Sequence, residues 1–480
     1  MNKIIKFFKL EEKGTNVRTE VMAGITTFLT MAYIVALNPN LIVGFDEAGT
    51  GLWKAVFLAT VLSSGITTIL MGLFANQPYA LSSGMGLNSY FAVVAGQIAV
   101  AAGVGLVGGI QAALSIILIE GIIFLALSLF KVREKIVDAI PHGVRLGISA
   151  GIGLMLVNIG LGSNASVTGK NGPYYMLSGF FGNGAANSFN ELKEAAGVGE
   201  YKKLVLYVIT MLVGVILIAV LSHKKINGSI LFGVLGASAL YWAGSAIFLG
   251  VNPFASLAKA SWLPPFKDMI ELTFFKFNFT NLFKLGYFTA IMTILSFCMV
   301  DMFDTIGTLY GTAKAADMLD ENDNVPEMGK CLISDAVGTC LGACTGTSTI
   351  TTFVESSAGV KAGGKTGLTS VVTGLLFLAC MFIAPIAAII PAPATSAALI
   401  YVGALMISSL KEVDYDDPAC SVPVVFMLIS MPITSSIGSG IGLGLIMYSL
   451  IKICRGEWKD VSWVTMLLSV LFLCKFFIIF

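Results

Sequence analysis

Charge is scarce in this sequence of 480 residues: Lys, Arg, Asp and Glu make up 12% of it, against 56% hydrophobic residues. Soluble domains carry about 25% charged residues. A water-soluble globule cannot bury so much apolar surface, so composition argues against a cytoplasmic enzyme. The two signs nearly cancel, leaving a formal net charge of +1, and no basic surplus points to a nucleic-acid partner. Histidine is nearly absent. His142 and His223 stand beside basic residues, and no two-His-plus-carboxylate spacing exists to suggest a metal site. Neither a Ser-His-Asp nor a Cys-His set can be assembled, which argues against a membrane hydrolase. Cysteine is missing before Cys298, no CxxC pair occurs, and most of the eight sit in apolar runs. They read as small packing residues rather than a disulfide framework. No GxxxxGK[ST] phosphate loop is present, and no small-residue cleavage site follows a short apolar core near residue 1. No cofactor is expected.

What the sequence does have is long apolar runs. A helix crossing a bilayer needs about 20 apolar residues. Such runs fall near 20–38, 53–74, 79–98, 104–130, 140–161, 203–222, 228–250, 286–312, 329–345, 348–361, 366–390, 396–410, 420–435 and 437–453. This predicts an all-α polytopic membrane protein of fourteen spans. A last run, 463–480, is either a further span or a helix lying in the interface. Lys3, Lys6, Lys9, Lys13 and Arg18 precede the first span, so residues 1–19 are expected on the cytoplasmic side. KVREK at 131–135, HKK at 223–225, Lys361 with Lys365, and Lys452 with Arg455 and Lys459 fall on cytoplasmic returns in that count. The segment 251–285 is then extracellular, although it carries Lys259, Lys267, Lys276 and Lys284.

Two spans are poor continuous helices. The third begins PYALSSGMGLNSYFA (78–92) and the tenth reads GTSTITTFVESSAGV (346–360). Each reads as an extended stretch leading into a short half-helix. Irregular backbone at membrane depth is tolerated only where protein or a water-filled cavity satisfies it. Two such segments in corresponding halves point to the binding site of an inverted-repeat transporter. The fifth and twelfth spans also match, both opening at Ile-Pro (140–141 and 390–391). A seven-plus-seven repeat follows.

Carboxylates inside the spans are the most informative residues. Burying one costs at least about 2.5–3.5 kcal/mol on insertion scales, so such groups face a cavity or a partner. Glu120, Asp301, Asp304, Asp335 and Glu355 qualify. Asp301 and Asp304 are three apart and share a helix face. Glu120 reads as a structural hydrogen-bond partner, while Asp335 and Asp301 are open to either a bracing or a functional role. Asp304 and Glu355 are flanked by small polar residues that leave room for a ligand, and both suit proton-coupled binding. Asn88 follows two glycines and reads as a ligand, with a turn former as its other reading.

These residues carry a family likeness. TTFLTMAYIVALNP (26–39), PYALSSGMGLNSYFA (78–92), VDMFDTIGT (300–308) and GTSTITTFVESSAGVKAGGKTG (346–367) resemble the AzgA-like purine permeases of the xanthine/uracil permease superfamily. The likeness runs from about residue 14 to 460, and Ser82–Ser83 departs from the Ala-Pro expected before GMG. The resemblance implies a core domain at 20–130 and 286–390 and a gate domain at 140–250 and 396–453. It also implies a homodimer and an elevator-like motion in the plasma membrane. It places the purine-binding residues on Asn88, Asp304 and Glu355. Thr352, Phe353 and Phe28 complete the candidate substrate set, with Tyr33 and Phe303 as further rings able to stack on a base. Glu355, Asp304 and Asp301 are the candidate proton-coupling groups. The chemistry agrees: a carboxylate accepts two in-plane N–H bonds, an Asn amide donates and accepts, and charge-assisted bonds are roughly twice as strong as neutral ones. Backbone N–H groups at the two half-helix starts would bind a purine carbonyl. Import of a purine base with protons is the leading expectation. An anion carrier on the same fold is the second, and acidic Glu355 argues against it.

Overall fold

In lipid, a helix satisfies its backbone hydrogen bonds within one segment, so apolar runs of bilayer length become helices. The computed structural model describes residues 2–45, 47–130, 140–161, 198–315, 318–320, 325–434 and 436–477. Among the described residues, eleven helical segments are long and apolar enough to cross a membrane, and the chain is a multi-pass membrane protein. In chain order the main elements begin with α1 (Val17–Met31), α2 (Ile34–Val43), α3 (Gly51–Leu70), β1 (Leu81–Ser83), α4 (Met85–Ala102) and α5 (Leu106–Leu129). Then come α6 (His142–Gly160), α7 (Val198–His223), α8 (Ser229–Gly244), α9 (Tyr287–Ala315), α10 (Met328–Thr345) and β2 (Ile350–Thr352). The chain closes with α11 (Ser356–Lys361), α12 (Gly367–Ala379), α13 (Ala392–Ile407), α14 (Pro418–Thr434), α15 (Ile437–Cys454) and α16 (Trp463–Phe477).

Eleven differs from fourteen at three expected spans. The ninth, α10, carries Lys330, Asp335 and a run of small polar residues; the tenth is a strand with a six-residue helix; the thirteenth, α14, is 17 residues with Pro423 and Pro432 inside it. The final apolar run forms α16, whose 15 residues extend about 22 Å, short of the roughly 30 Å hydrocarbon core. The third span also departs from a short half-helix. After Asn88 its apolar run carries the helix through Gly96 to Gly103, which ends α4 in a left-handed conformation at φ 64°, so α4 reaches 18 residues. The segment 251–285 is partly helical, with turns of helix at Phe266–Leu272 and Phe279–Phe283. The basic turn at 131–135 lies outside the described residues.

The helices pack in two groups. α1–α5 and α9–α12 contact mainly one another, through pairs such as α1 with α12, α3 with α12 and α5 with α10. α6–α8 and α13–α15 form the second group, led by α6 with α13, α6 with α14 and α14 with α15. α4 against α6, and α9 against α15, join the two along a seam.

Inside the first group the extended stretches cross. β1 and β2 pair antiparallel, with Leu81 opposite Thr352, Ser82 opposite Thr351 and Ser83 opposite Ile350. The ladder continues at both ends, where Phe353 N–H donates to Ala80 O (3.0 Å) and Gly84 N–H to Thr349 O (3.2 Å). Two strands of three residues leave outer edges that lipid could not satisfy. Hydroxyl-bearing helices do so instead. On α3, Thr60, Ser64, Thr67 and Thr68 recur at helical spacing, all buried. Thr68 Oγ1 accepts from Leu81 N–H at 2.9 Å and donates to Leu81 O at 3.0 Å, and Ser64 pairs with Ser82 at 2.8 Å. On the other side Thr339 of α10 donates to Ile350 O at 3.1 Å. Asn38 of α2 donates to Thr60 and to Thr347, which in turn meets Ser83. The unwound backbone is thus enclosed in protein.

Candidate functional site

The N-terminus of α4 is the centre of the site. Gly84 precedes it, and the first N–H groups of the helix have no intrahelical acceptor. Such a terminus carries partial positive charge and presents hydrogen-bond donors. Asp304 approaches it directly, and Glu355 is linked to it through Tyr33. Asp304 of α9 puts Oδ2 3.5 Å from where a Cβ on Gly84 would stand. Glu355, at the turn from β2 into α11, accepts from the phenol of Tyr33 at 2.7 Å, and that same phenol lies 3.9 Å from Met85 Sδ. Met85 is the first residue of α4. Asp304 lies within electrostatic range of both Glu355 and Asp335. Both Asp304 and Glu355 are half-buried rather than sealed in the core.

Behind Asp304 lies a fully buried polar cluster. The hydroxyl of Thr305 is 2.9 Å from Asp335 Oδ1, 3.2 Å from Asp301 Oδ1 and 2.7 Å from Thr351 Oγ1. One hydroxyl has one proton, so Thr305 donates to one carboxylate while accepting from Thr351 or another donor. This links α9, α10 and β2 into one unit. The combination of N–H donors and carboxylate acceptors suits a planar ligand that offers N–H groups and carbonyl or ring-nitrogen acceptors along one edge.

Known proteins are similar over almost the whole length. The family model described as "Permease family" (xanthine/uracil permease) matches residues 18–183 and 175–443. This chain belongs to that family. It is a permease, a membrane transporter rather than an enzyme. It is 37% identical over 472 residues to the adenine permease AdeP of Escherichia coli, covering 98% of this chain and 95% of that protein. It is 35% identical over 475 residues to the guanine/hypoxanthine permease PbuG of Bacillus subtilis, covering 98% of each. Among solved structures, the transmembrane domain of a cyanobacterium bicarbonate transporter, BicA, shares the fold at a TM-score of 0.60 and 15% identity, covering 90% of this chain and 97% of that one.

In this permease the other expected site residues stand at varied distances from the carboxylates. Asn88 is fully buried; its amide donates to Ser83 O at 3.1 Å and accepts from the hydroxyl of Ser348. It ties the start of α4 to both crossing stretches. Thr352 is buried in β2 with its hydroxyl unpartnered. Phe353 is buried next to it and locked through its N–H to Ala80. Phe28 points into helix packing, edge-on to the buried ring of Phe377 at 5.4 Å. Asp301 is buried in the Thr305 cluster, one layer behind Asp304. Glu120 accepts from Thr349 at 2.8 Å and so braces the stretch before β2.

Several contributors escaped sequence reasoning. The sequence offers Tyr33 as a stacking ring, and in the structure its hydroxyl is what engages Glu355. Glu20 is fully buried, and its carboxylate accepts from the N–H groups of Lys365 (2.9 Å) and Thr366 (3.2 Å) and from Thr369 Oγ1 (2.6 Å), capping α12. The hydroxyl stripe TVLSSGITT in the second span was a readable signal: polar residues on one face of an apolar helix need partners.

Proposed function

We propose that this permease imports purine nucleobases, adenine, guanine or hypoxanthine, by proton symport. The observation carrying the reading is the approach of Asp304 to the N-terminus of α4, with Glu355 linked to it through Tyr33. In this reading the two carboxylates accept ring and exocyclic N–H groups of the base, the α4 N–H groups donate to its carbonyl or ring nitrogens, and Thr352 offers a free hydroxyl nearby. Asn88 shapes the end of α4, Phe353 walls the site, and Phe28 supports it from the packing behind. Glu355, Asp304 and Asp301 are the groups to take up the coupled proton. The names of the relatives AdeP and PbuG favour a purine over other cargo.

The wider architecture we propose has fourteen spans in a seven-plus-seven repeat, with the cytoplasmic N-terminus at 1–19. The group containing β1 and β2 is the moving core and the other group the gate, in a plasma-membrane homodimer working by elevator-like alternating access. An anion carrier is the second reading, because the bicarbonate transporter shares the fold. Fold is weak guidance to cargo, and two carboxylates at the site would repel an anion.

The test is uptake of radiolabelled hypoxanthine into cells lacking purine transport, across an imposed pH gradient. Uptake should rise with the inward proton gradient and collapse in Glu355→Gln and Asp304→Ala. Uptake unchanged by either substitution, or competed by sulfate and not by adenine, would overturn the proposal.

A further inference from the structure

We infer that Tyr33 is the positioning residue for Glu355: its phenol holds one carboxylate oxygen. The inference rests on Glu355 acting as proposed above.

Tyr33 occupies the break between α1 and α2, and it is only 2% exposed. A buried phenol needs a hydrogen-bond partner. Its partner is Glu355 Oε1 at 2.7 Å, while Met85 Sδ, a weak acceptor, is 3.9 Å away. Among the described residues no other side chain donates to the Glu355 carboxylate. The bond joins residues 322 apart in sequence, tying the break in the first span to the turn of the tenth. The phenol takes one of the roughly four acceptor sites of the carboxylate.

A donor aimed at a carboxylate favours its ionised form over the protonated one. The ionisable and charged groups around Glu355 are few. α9 contributes Asp304, with Asp301 behind it, and α10 contributes Asp335 through Thr305. On α1 the charged residues are Arg18 and Glu20, the latter engaged at the start of α12; α11 itself carries Lys361 in its last turn; α4 has no charged residue. Among these groups the phenol is the neighbouring side chain that donates a hydrogen bond to Glu355.

The experiment is the pH profile of hypoxanthine uptake in proteoliposomes at equal protein content, for wild type, Tyr33→Phe, Tyr33→Leu and Glu355→Gln. Both Tyr33 variants remove the donor to Glu355. The midpoint of the profile should shift by about one unit, the scale set by a lost hydrogen bond to a charged group. A merely structural role would lower the rate without moving the midpoint. If Glu355→Gln flattens the profile while both Tyr33 variants keep the wild-type midpoint, the role of Tyr33 is overturned and that of Glu355 stands. If Glu355→Gln keeps the wild-type profile, the reading of Glu355 fails, and this inference with it.

Discussion

Gly84→Ala tests the close crossing of the two broken spans. Gly84 has φ −66° and ψ 123°, a conformation open to alanine, so any effect is steric. A Cβ there would stand 2.7 Å from Thr351 Cγ2 and 3.4 Å from Leu87 Cδ1. Thr351 cannot swing aside easily, because it is paired with Ser82 and its hydroxyl is 2.7 Å from Thr305. Relief requires β1 and β2 to part or α4 to shift, and Asp304 Oδ2 lies 3.5 Å from the same Cβ. Overpacking of this kind costs roughly 1–3 kcal/mol. Purine affinity should fall by the share of that cost that displaces the binding groups, at most roughly 150-fold at about 1.4 kcal/mol per decade. The control is Gly96→Ala on the same helix, where a Cβ meets nothing within 4 Å and alanine is the better helix former by about 1 kcal/mol. Affinity is measured by competition of labelled hypoxanthine uptake in membranes with matched amounts of each variant. Wild-type affinity in Gly84→Ala would refute the crossing as described.

Three further outcomes are expected. Gly86→Ala puts a Cβ 2.4 Å from Ile152 Cγ2 on α6, across the seam between the two helix groups; the transport rate should fall with purine binding retained, and parallel loss of both would contradict a sliding seam. Glu20→Ala strands three donors at the start of α12, at a cost on the order of 3 kcal/mol. Its thermal midpoint in detergent should drop, with Glu20→Gln in between, and an unchanged midpoint would show that the cap carries no weight. Asp417, outside the spans, accepts from Ala419 N–H and from Arg455 Nη1 at 2.6 Å, and these bonds, the backbone one foremost, hold its carboxyl below the usual range. A lowered carboxyl contributes stability above its unfolded value of about 3.9 and loses it as pH falls through the lower folded value. Asp417→Asn should therefore lower the thermal midpoint at neutral pH, with the difference fading in strong acid; a gap that persists there would point to packing instead.

Single elements were legible where composition alone decides them. The fourth expected span, 104–130, corresponds to α5 (Leu106–Leu129), and the fourteenth, 437–453, to α15 (Ile437–Cys454). Pro141 and Pro391 do precede α6 and α13. The clusters of Ser, Gly and Thr at 82–86 and 346–352 signalled unwound backbone, and extended stretches are found at Leu81–Ser83 and Ile350–Thr352. What the sequence could not reveal is pairing at a distance. Nothing local says that Ser83 meets Thr347, that Glu20 caps α12, or that Asn88 spends its amide on Ser83 and Ser348. The role of Tyr33 is hidden for a related reason: an aromatic in an apolar run advertises its ring, and its hydroxyl partner, Glu355, lies in another span. α4 is longer than a half-helix because the breaker cluster ends at Asn88, and the apolar run beyond it continues as ordinary helix.

The central claim is that Asp304 and Glu355 hold a purine base at the start of α4. Equilibrium binding of tritiated hypoxanthine to the purified protein, followed by scintillation proximity, tests it most directly. The account predicts saturable binding to wild type and to Gly96→Ala, displaced by unlabelled adenine or guanine, and its loss in Asp304→Ala and Glu355→Gln. Saturable binding that survives both acidic substitutions would contradict it.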